Sequence, residues 1–164
     1  MDAQIEIRSA KSEDWPEIWE IIQSVISSGG TYVFNPDSPE NKMREYWLGN
    51  DKYCYVACIK GKVVGTFILK DNQPDLGSHV SNGSYMTHPD QQGKGIGYTM
   101  GEASLSIARE LGYEAMQFNI VIEKNKVAVR LWKKLGFEIV GKVPGAFKHR
   151  SDGNSDILIM WRSL

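Results

Sequence analysis

Between a strand-like stretch at 79–87 and a helix-like one at 95–111, the chain reads Thr87-His88-Pro89-Asp90-Gln91-Gln92-Gly93-Lys94-Gly95-Ile96-Gly97. Three glycines in five residues let the backbone take positive φ angles and approach a ligand closely. The first turn of the following helix has N–H groups without intrahelical partners, and the helix dipole favours negative charge there. A phosphate or pyrophosphate is the expected occupant, with Lys94 adding a cation and Gln92 a neutral donor. On the glycines alone, a tight turn without a ligand stays an open alternative. Two phosphate-loop patterns are excluded. Gly93-Lys94-Gly95 lacks the Gly-Lys-Ser/Thr ending of a Walker loop. Gly93-x-Gly95-x-Gly97 has the wrong spacing, and falls too late in the chain, for a dinucleotide fingerprint.

The rest of the chain predicts one α/β domain over residues 1–164, in the order β-α-α-β-β-β-α-β-α-β-β. Ile5 and Ile7 alternate with polar neighbours as a short first strand. Asp14 and Glu17 have the spacing of a capping box, with Pro16 in the first turn. Trp15, Ile18, Trp19, Ile22, Val25 and Ile26 then follow helical spacing up to Gly29-Gly30. A second helix opens at Ser38-Pro39-Glu40, with Met43, Tyr46 and Trp47 on its apolar side, and ends at Gly49. The runs 53–59 and 63–69 around Lys60-Gly61-Lys62 predict an antiparallel hairpin. A polar loop covers 71–77. In the strand 79–87, Asn82-Gly83 suggests a bulge. Gly112 closes the helix 95–111. A strand at 114–122, a helix at 125–135 ended by Gly136, and strands at 137–140 and 156–161 complete the order. The strand–helix–strand unit 79–122 implies a parallel pair within a mixed sheet.

Composition narrows the function. Nineteen Lys and Arg against twenty Asp and Glu leave a charge of -1, which argues against a nucleic-acid binder. The chain has 41% hydrophobic and 24% charged residues, ordinary globular values. No apolar run approaches the roughly 20 residues of a membrane helix, and Met1-Asp2-Ala3-Gln4 has no leader-like pattern. Cys54 and Cys58 fall on one face of a single strand and read as buried thiols of a reducing compartment. A cytoplasmic protein without a membrane partner is expected. His79, His88 and His149 stand apart with no metal-ligand spacing, so each reads as structural or solvated and no metal is expected.

The run Gln92-Gly93-Lys94-Gly95-Ile96-Gly97 resembles the Gln/Arg-x-x-Gly-x-Gly/Ala pyrophosphate loop of the GNAT superfamily of N-acetyltransferases. Asn125, Ala128, Leu131, Trp132, Lys134, Gly136 and Phe137 resemble that family's second helix pattern, and the element order agrees along the whole chain. The resemblance implies a GNAT fold, a mixed and mostly antiparallel sheet flanked by helices, with acetyl-CoA as co-substrate. It implies that Tyr85, Met86 and Thr87 offer backbone groups to pantetheine and thioester. Gln92, Gly93, Lys94, Gly95, Ile96, Gly97 and Tyr98 would hold the pyrophosphate. Asn125 would bond the pantetheine arm, or serve as a plain helix cap, or both. Ala128 and Trp132 would pack beside it. Many family members carry a Tyr where this chain has Trp132, and an indole N–H cannot protonate a departing thiolate. A homodimer is a further expectation from the family.

Direct acyl transfer to an amine requires the nitrogen to lose a proton. The strand before the loop, which carries a Glu or Asp in many family members, has no carboxylate here. Water, or an acceptor bound as the free amine, is left to meet that need. Asn82, Phe118-Asn119-Ile120-Val121 and Gly141-Lys142-Val143-Pro144-Gly145 resemble a finer subgroup, the fungal acetyltransferases of azetidine-2-carboxylate. That resemblance implies that Asn82 holds a substrate carboxylate and that Asn119 positions the thioester carbonyl or a water. Purely structural roles for the two asparagines, in a bulge and on a strand edge, are the alternative. The loop Gly30-Thr31-Tyr32-Val33-Phe34 would line the acceptor side. The expected acceptor is a small amino or imino acid. A protein N-terminus or lysine, or an acyl-CoA sensor without turnover, are the competing readings.

Overall fold

The computed structural model describes residues 4–164; Met1 to Ala3, part of the N-terminal stretch read above, lie outside the described residues. Seven strands form one sheet: β1 (Ile5–Ser9), β2 (Tyr53–Ile59), β3 (Lys62–Asp71), β4 (Val80–Thr87), β5 (Ala115–Ile122), β6 (Glu138–His149) and β7 (Gly153–Ser163). Their order across the sheet is β1-β2-β3-β4-β5-β7-β6, and only β4 and β5 run parallel. The helices are α1 (Trp15–Ile26), α2 (Glu40–Trp47), α3 (Ile96–Glu110) and α4 (Lys126–Lys134). The order of strands and helices is the one the sequence predicts.

Two apolar layers fix the helices to the sheet. On one face Ile18, Ile22 and Ile26 of α1 and Met43 and Trp47 of α2 are buried against Val56, Ile68 and Met86. On the other, Met100 and Leu105 of α3 and Trp132 of α4 pack on Phe67, Met116, Phe118 and Met160. Strand alternation explains the division, because successive side chains leave a strand on opposite faces. Tyr85 and Met86 therefore belong to different layers. Trp47 donates its indole N–H to the buried Thr66 hydroxyl at 3.0 Å, and that hydroxyl donates to the Tyr55 carbonyl at 2.9 Å. The Trp47 and Thr66 polar atoms are thereby satisfied.

Three local expectations are corrected. Asp14 and Glu17 form no capping box. The Asp14 carboxylate takes two Arg8 guanidinium bonds at 2.8 Å and the Lys11 N–H at 2.7 Å, while Glu17 accepts the Val63 N–H at 3.0 Å. A nearby arginine offers a charge-assisted, two-pronged bond that a helix amide does not match. Asn82-Gly83 makes no bulge against β3, where the register runs unbroken from Gly65↔Thr87 to Asp71↔Ser81. Finally, β6 and β7 form a much longer hairpin than the runs 137–140 and 156–161. Register shifts between Ile139 and Gly141 and between Val143 and Phe147 accommodate Gly141, Pro144 and Gly145. A proline lacks the N–H that a regular ladder needs, so it is tolerated at such an irregularity on an edge strand.

Cys54 and Cys58 are both free thiols on the α1–α2 layer. Cys58 is buried and Cys54 half-buried, and burial pushes both thiols up, Cys54 to about 12.

Candidate active site

The parallel pair β4–β5 is the place where the sheet opens. Pairing is confined to Val80↔Ala115 and Ser81↔Met116, after which the two strands diverge. Aromatic rings fill one side of the gap: Trp132 lies 4.8 Å from Tyr85 and 4.5 Å from Phe118, ring centre to ring centre. A cavity of about 290 Å³ occupies the rest. Its walls come from both layers, with Tyr32, Phe34, Tyr46, Lys70 and Asn82 on the α1–α2 side and Phe118, Asn125, Ala128 and Trp132 on the α3–α4 side. The opening thus reaches both faces of the sheet.

Backbone groups of β4 line this gap. The Tyr32 hydroxyl donates to the Tyr85 carbonyl at 2.6 Å and accepts the Tyr85 N–H at 2.8 Å. Both Tyr85 groups therefore point away from β3 and into the gap. Because backbone groups alternate along an antiparallel ladder, Gly83 and Thr87 turn the same way. Met86 turns its N–H and C=O to β3 and buries its side chain in the core. Of the three residues expected to offer backbone groups, Tyr85 and Thr87 face the gap and Met86 does not. Burial pushes the phenols of Tyr32 and Tyr85 well above the usual tyrosine range, so both stay protonated donors. The Tyr85 hydroxyl itself is bonded to Ser104 at 2.8 Å.

The glycine-rich loop lies outside the cavity, at the start of α3. Gly93 and Gly95 have φ of 77° and 76°, the left-handed region that favours glycine, and nothing stands within 4 Å of where a Cβ would project. Gly95 is the N-cap of α3. Among the described residues no N–H from Gly93 to Tyr98 meets a backbone or side-chain acceptor; the next, Thr99, bonds the Gly95 carbonyl at 3.0 Å. Gln92 is exposed, and Lys94 bonds Gln91 at 2.7 Å. The Ile96 side chain is in the core, which leaves its amide for a ligand. Gly97 has a packing role that its motif does not convey: a Cβ there would sit 3.4 Å from Leu131 of α4. Lys134 lies 4.5 Å over the Tyr98 ring and brings a second cation beside the helix start.

Asn125 caps α4, its carbonyl oxygen accepting the Ala128 N–H at 3.2 Å, and it also lines the cavity. Asn82 and Asn119 are joined by a residue that sequence reasoning did not single out. The Asn72 carbonyl oxygen accepts from Asn82 Nδ2 at 3.1 Å and from Asn119 Nδ2 at 2.8 Å, while Gln117 donates to Asn119 at 3.0 Å. Asn72 sits just past β3, in a stretch that reads as a plain polar loop. Lys70 was missed for a similar reason, being a lysine that closes an apolar strand, whereas Tyr32 lies in the loop expected to line the acceptor side.

The histidines take part in turns. His88 accepts the Asp90 N–H at 3.2 Å, and His149 accepts those of Ser151 and Asp152 at 3.1 and 3.2 Å. Among the described residues no three His, Cys, Asp or Glu side chains are grouped to hold a metal ion, and no helix is long and apolar enough to cross a membrane.

A split parallel pair beside a helix that opens on unpartnered amides defines a class of acyl-CoA-handling folds, and comparison with known proteins agrees. Residues 9–137 match the Acetyltransferase (GNAT) family, and the chain belongs to that family. A solved GCN5-related N-acetyltransferase from Kribbella flavida superposes with a TM-score of 0.92 at 34% identity, covering 98% of each chain. A phosphinothricin acetyltransferase from Sinorhizobium meliloti, solved in complex with AcCoA, has the same fold, with a TM-score of 0.86 at 22% identity over 100% of this chain and 89% of that one. N-acetyltransferase aca1 of Schizosaccharomyces pombe is 28% identical over 140 residues, 74% of this chain. The chain spans 66% of the length of that relative.

Proposed function

We propose that this protein transfers the acetyl group of acetyl-CoA to the amine of a small molecule, an amino or imino acid, by direct attack. The observation that carries this reading is the Tyr85 backbone, whose N–H and C=O face the gap between β4 and β5. A thioester supplies an activated acyl carbon. The Tyr85 N–H is suited to stabilise charge developing on its oxygen, a contribution often worth about 3 kcal/mol in acyl transfer. The residues present fit acetyl-CoA in three places. Six consecutive amides at the start of α3, with Lys94 and Lys134 near them, suit a diphosphate. Asn125, Ala128 and Trp132 offer a half-polar wall for the pantetheine arm. Tyr85 and Thr87 offer strand-like hydrogen bonds to its amides.

The acceptor side supports a small molecule. The loop carrying Tyr32 and Phe34, the Tyr46 ring of α2, Asn82 and Asn119 line one cavity of about 290 Å³, a size that suits a small acceptor. Among the described residues no carboxylate lines this cavity. The nitrogen therefore enters as the free amine or gives its proton to water held by the Asn82–Asn72–Asn119 amides. The finer likeness to azetidine-2-carboxylate acetyltransferases rests on these same two asparagines.

Thiol release from acetyl-CoA, followed with amino acids, polyamines and peptides as acceptors, tests the proposal. Release that requires a free amino or imino acid is the expected result. Saturable acetyl-CoA binding with no release for any amine would establish a sensor instead, and release only with peptides would establish a protein acetyltransferase.

A further inference from the structure

We infer that Lys70 selects the acceptor, its ammonium pairing with a carboxylate carried by the amine that is acetylated. The inference deepens the reading above and rests on the α1–α2 side of the cavity being the acceptor chamber.

Among the described residues Lys70 is the single charged side chain lining the cavity. It sits on β3 directly opposite Asn82 of β4, and cross-strand partners share a face of the sheet. Lys70 is half-buried, and its ammonium lies 3.4 Å from the Tyr46 hydroxyl and 5.4 Å from that ring's centre. No Asp or Glu forms an ion pair with it among the described residues. Two acidic groups near it are engaged elsewhere. Asp51 is bonded to Lys52 at 2.7 Å, and Asp71 accepts the Tyr113 hydroxyl at 2.6 Å. Lys52 also stands 4.6 Å over the same Tyr46 ring and is bonded to Asp51, whose carboxylate feels the charge of Lys70 without forming an ion pair with it.

A half-buried lysine with no ion-pair partner gains from an anion brought within its reach. The space open to such an anion is the chamber itself. Asn82, with one amide hydrogen on Asn72, retains a second for a carboxylate oxygen, as does Asn119. One wall thus presents a cation flanked by neutral donors and no competing acid. Three residues of strand, about 10 Å, separate the Lys70–Asn82 level from Tyr85. The lysine stem and a single amino acid together fill that span, with the carboxylate toward Lys70 and the nitrogen toward the gap. An acceptor bearing only an amine would leave Lys70 unmatched and add a second positive charge to the chamber.

The test compares Lys70→Met, which keeps the stem and removes the charge, with the natural protein. Proline, azetidine-2-carboxylate and methionine are each assayed against their carboxamides, which carry the same amine and no anion. The natural protein should prefer each acid, and Lys70→Met should lower kcat/KM for the acids roughly ten- to a hundredfold, the scale of one charge-assisted hydrogen bond. That loss should appear in KM, the carboxamides should react as before, and the KM for acetyl-CoA should not move, which also reports an intact fold. Lys70→Arg should recover part of the preference. An acid-to-amide ratio that is near unity in the natural protein, or unchanged by Lys70→Met, overturns the inference while leaving the acetyltransferase in place. Absence of thiol release with every acceptor overturns the acetyltransferase reading, and this inference with it.

Discussion

A single hydroxyl, that of Tyr32, satisfies both backbone groups of Tyr85. Where β4 leaves β5, those groups have no strand partner, and unpaired backbone groups away from water are costly. Tyr32 therefore occupies the hydrogen bonds that a thioester at Tyr85 would need. Removing the hydroxyl should destabilise the free protein and not the acetyl-CoA complex, so the lost stability should reappear as affinity. Tyr32→Phe is expected to lower stability by about 1–2 kcal/mol and to tighten acetyl-CoA binding by a corresponding five- to thirtyfold. Denaturant unfolding and an acetyl-CoA titration check the two halves; weaker binding would mean that the hydroxyl is part of the bound state. At this scale the sequence was half legible. Asn82, Asn119 and Asn125 were visible as amides at particular places in a pattern. Asn72 and Lys70 were not, because their roles come from cross-strand neighbours, which a linear reading does not contain.

Among the elements, the loop entering α3 is the most open to test. A Cβ at Gly95 meets no atom, so Gly95→Ala costs the free protein only the strain of a left-handed residue, about 1–2 kcal/mol. A diphosphate resting on those amides would meet the added methyl directly. Calorimetric titration should therefore show acetyl-CoA affinity falling, while denaturant unfolding shows no more than the cost of that strain. Unchanged affinity would mean that the loop holds nothing. The element order was legible almost throughout, because apolar spacing and glycine stops are local signals. Gly112 and Gly136, with φ of 89° and 85°, end their helices where expected. The β6–β7 hairpin was not legible beyond its ends. Gly141, Pro144 and Gly145 argue for a loop, and only pairing with the regular run of β7 overrides them. The Asp14–Glu17 box failed for the converse reason: its spacing is a local signal, and Arg8 on a neighbouring strand outcompetes it.

For the molecule as a whole, that Arg8–Asp14 pair ties the first strand to the start of α1. Arg8 and the Lys11 N–H hold the Asp14 carboxyl below the usual carboxylate range. A group whose pKa is lower when folded contributes stability above its unfolded pKa, about 3.9, and loses that contribution as pH falls through the folded value. Asp14→Asn should lower unfolding free energy by about 1–3 kcal/mol at pH 7, and urea titrations should find the difference from the natural protein shrinking below pH 4. A difference that stays constant into acid would show that the charge is not what holds this junction. The parallel pair followed from one local fact, a strand–loop–helix–strand run, because a helical crossover of that length commonly returns the chain to a parallel neighbour. How far that neighbour stays paired was not readable, since two paired positions and eight look alike in sequence.

That short pairing has a consequence for traffic. Most sheets are barriers, and a molecule on one side cannot touch one on the other. Here the barrier has a slit, walled by Trp132 on one side and roofed by Tyr32 and Phe34 on the other. On the reading proposed here, donor and recipient arrive by separate doors and meet only at the threshold. The spent thiol can then depart by its own exit without waiting for the amide it leaves behind.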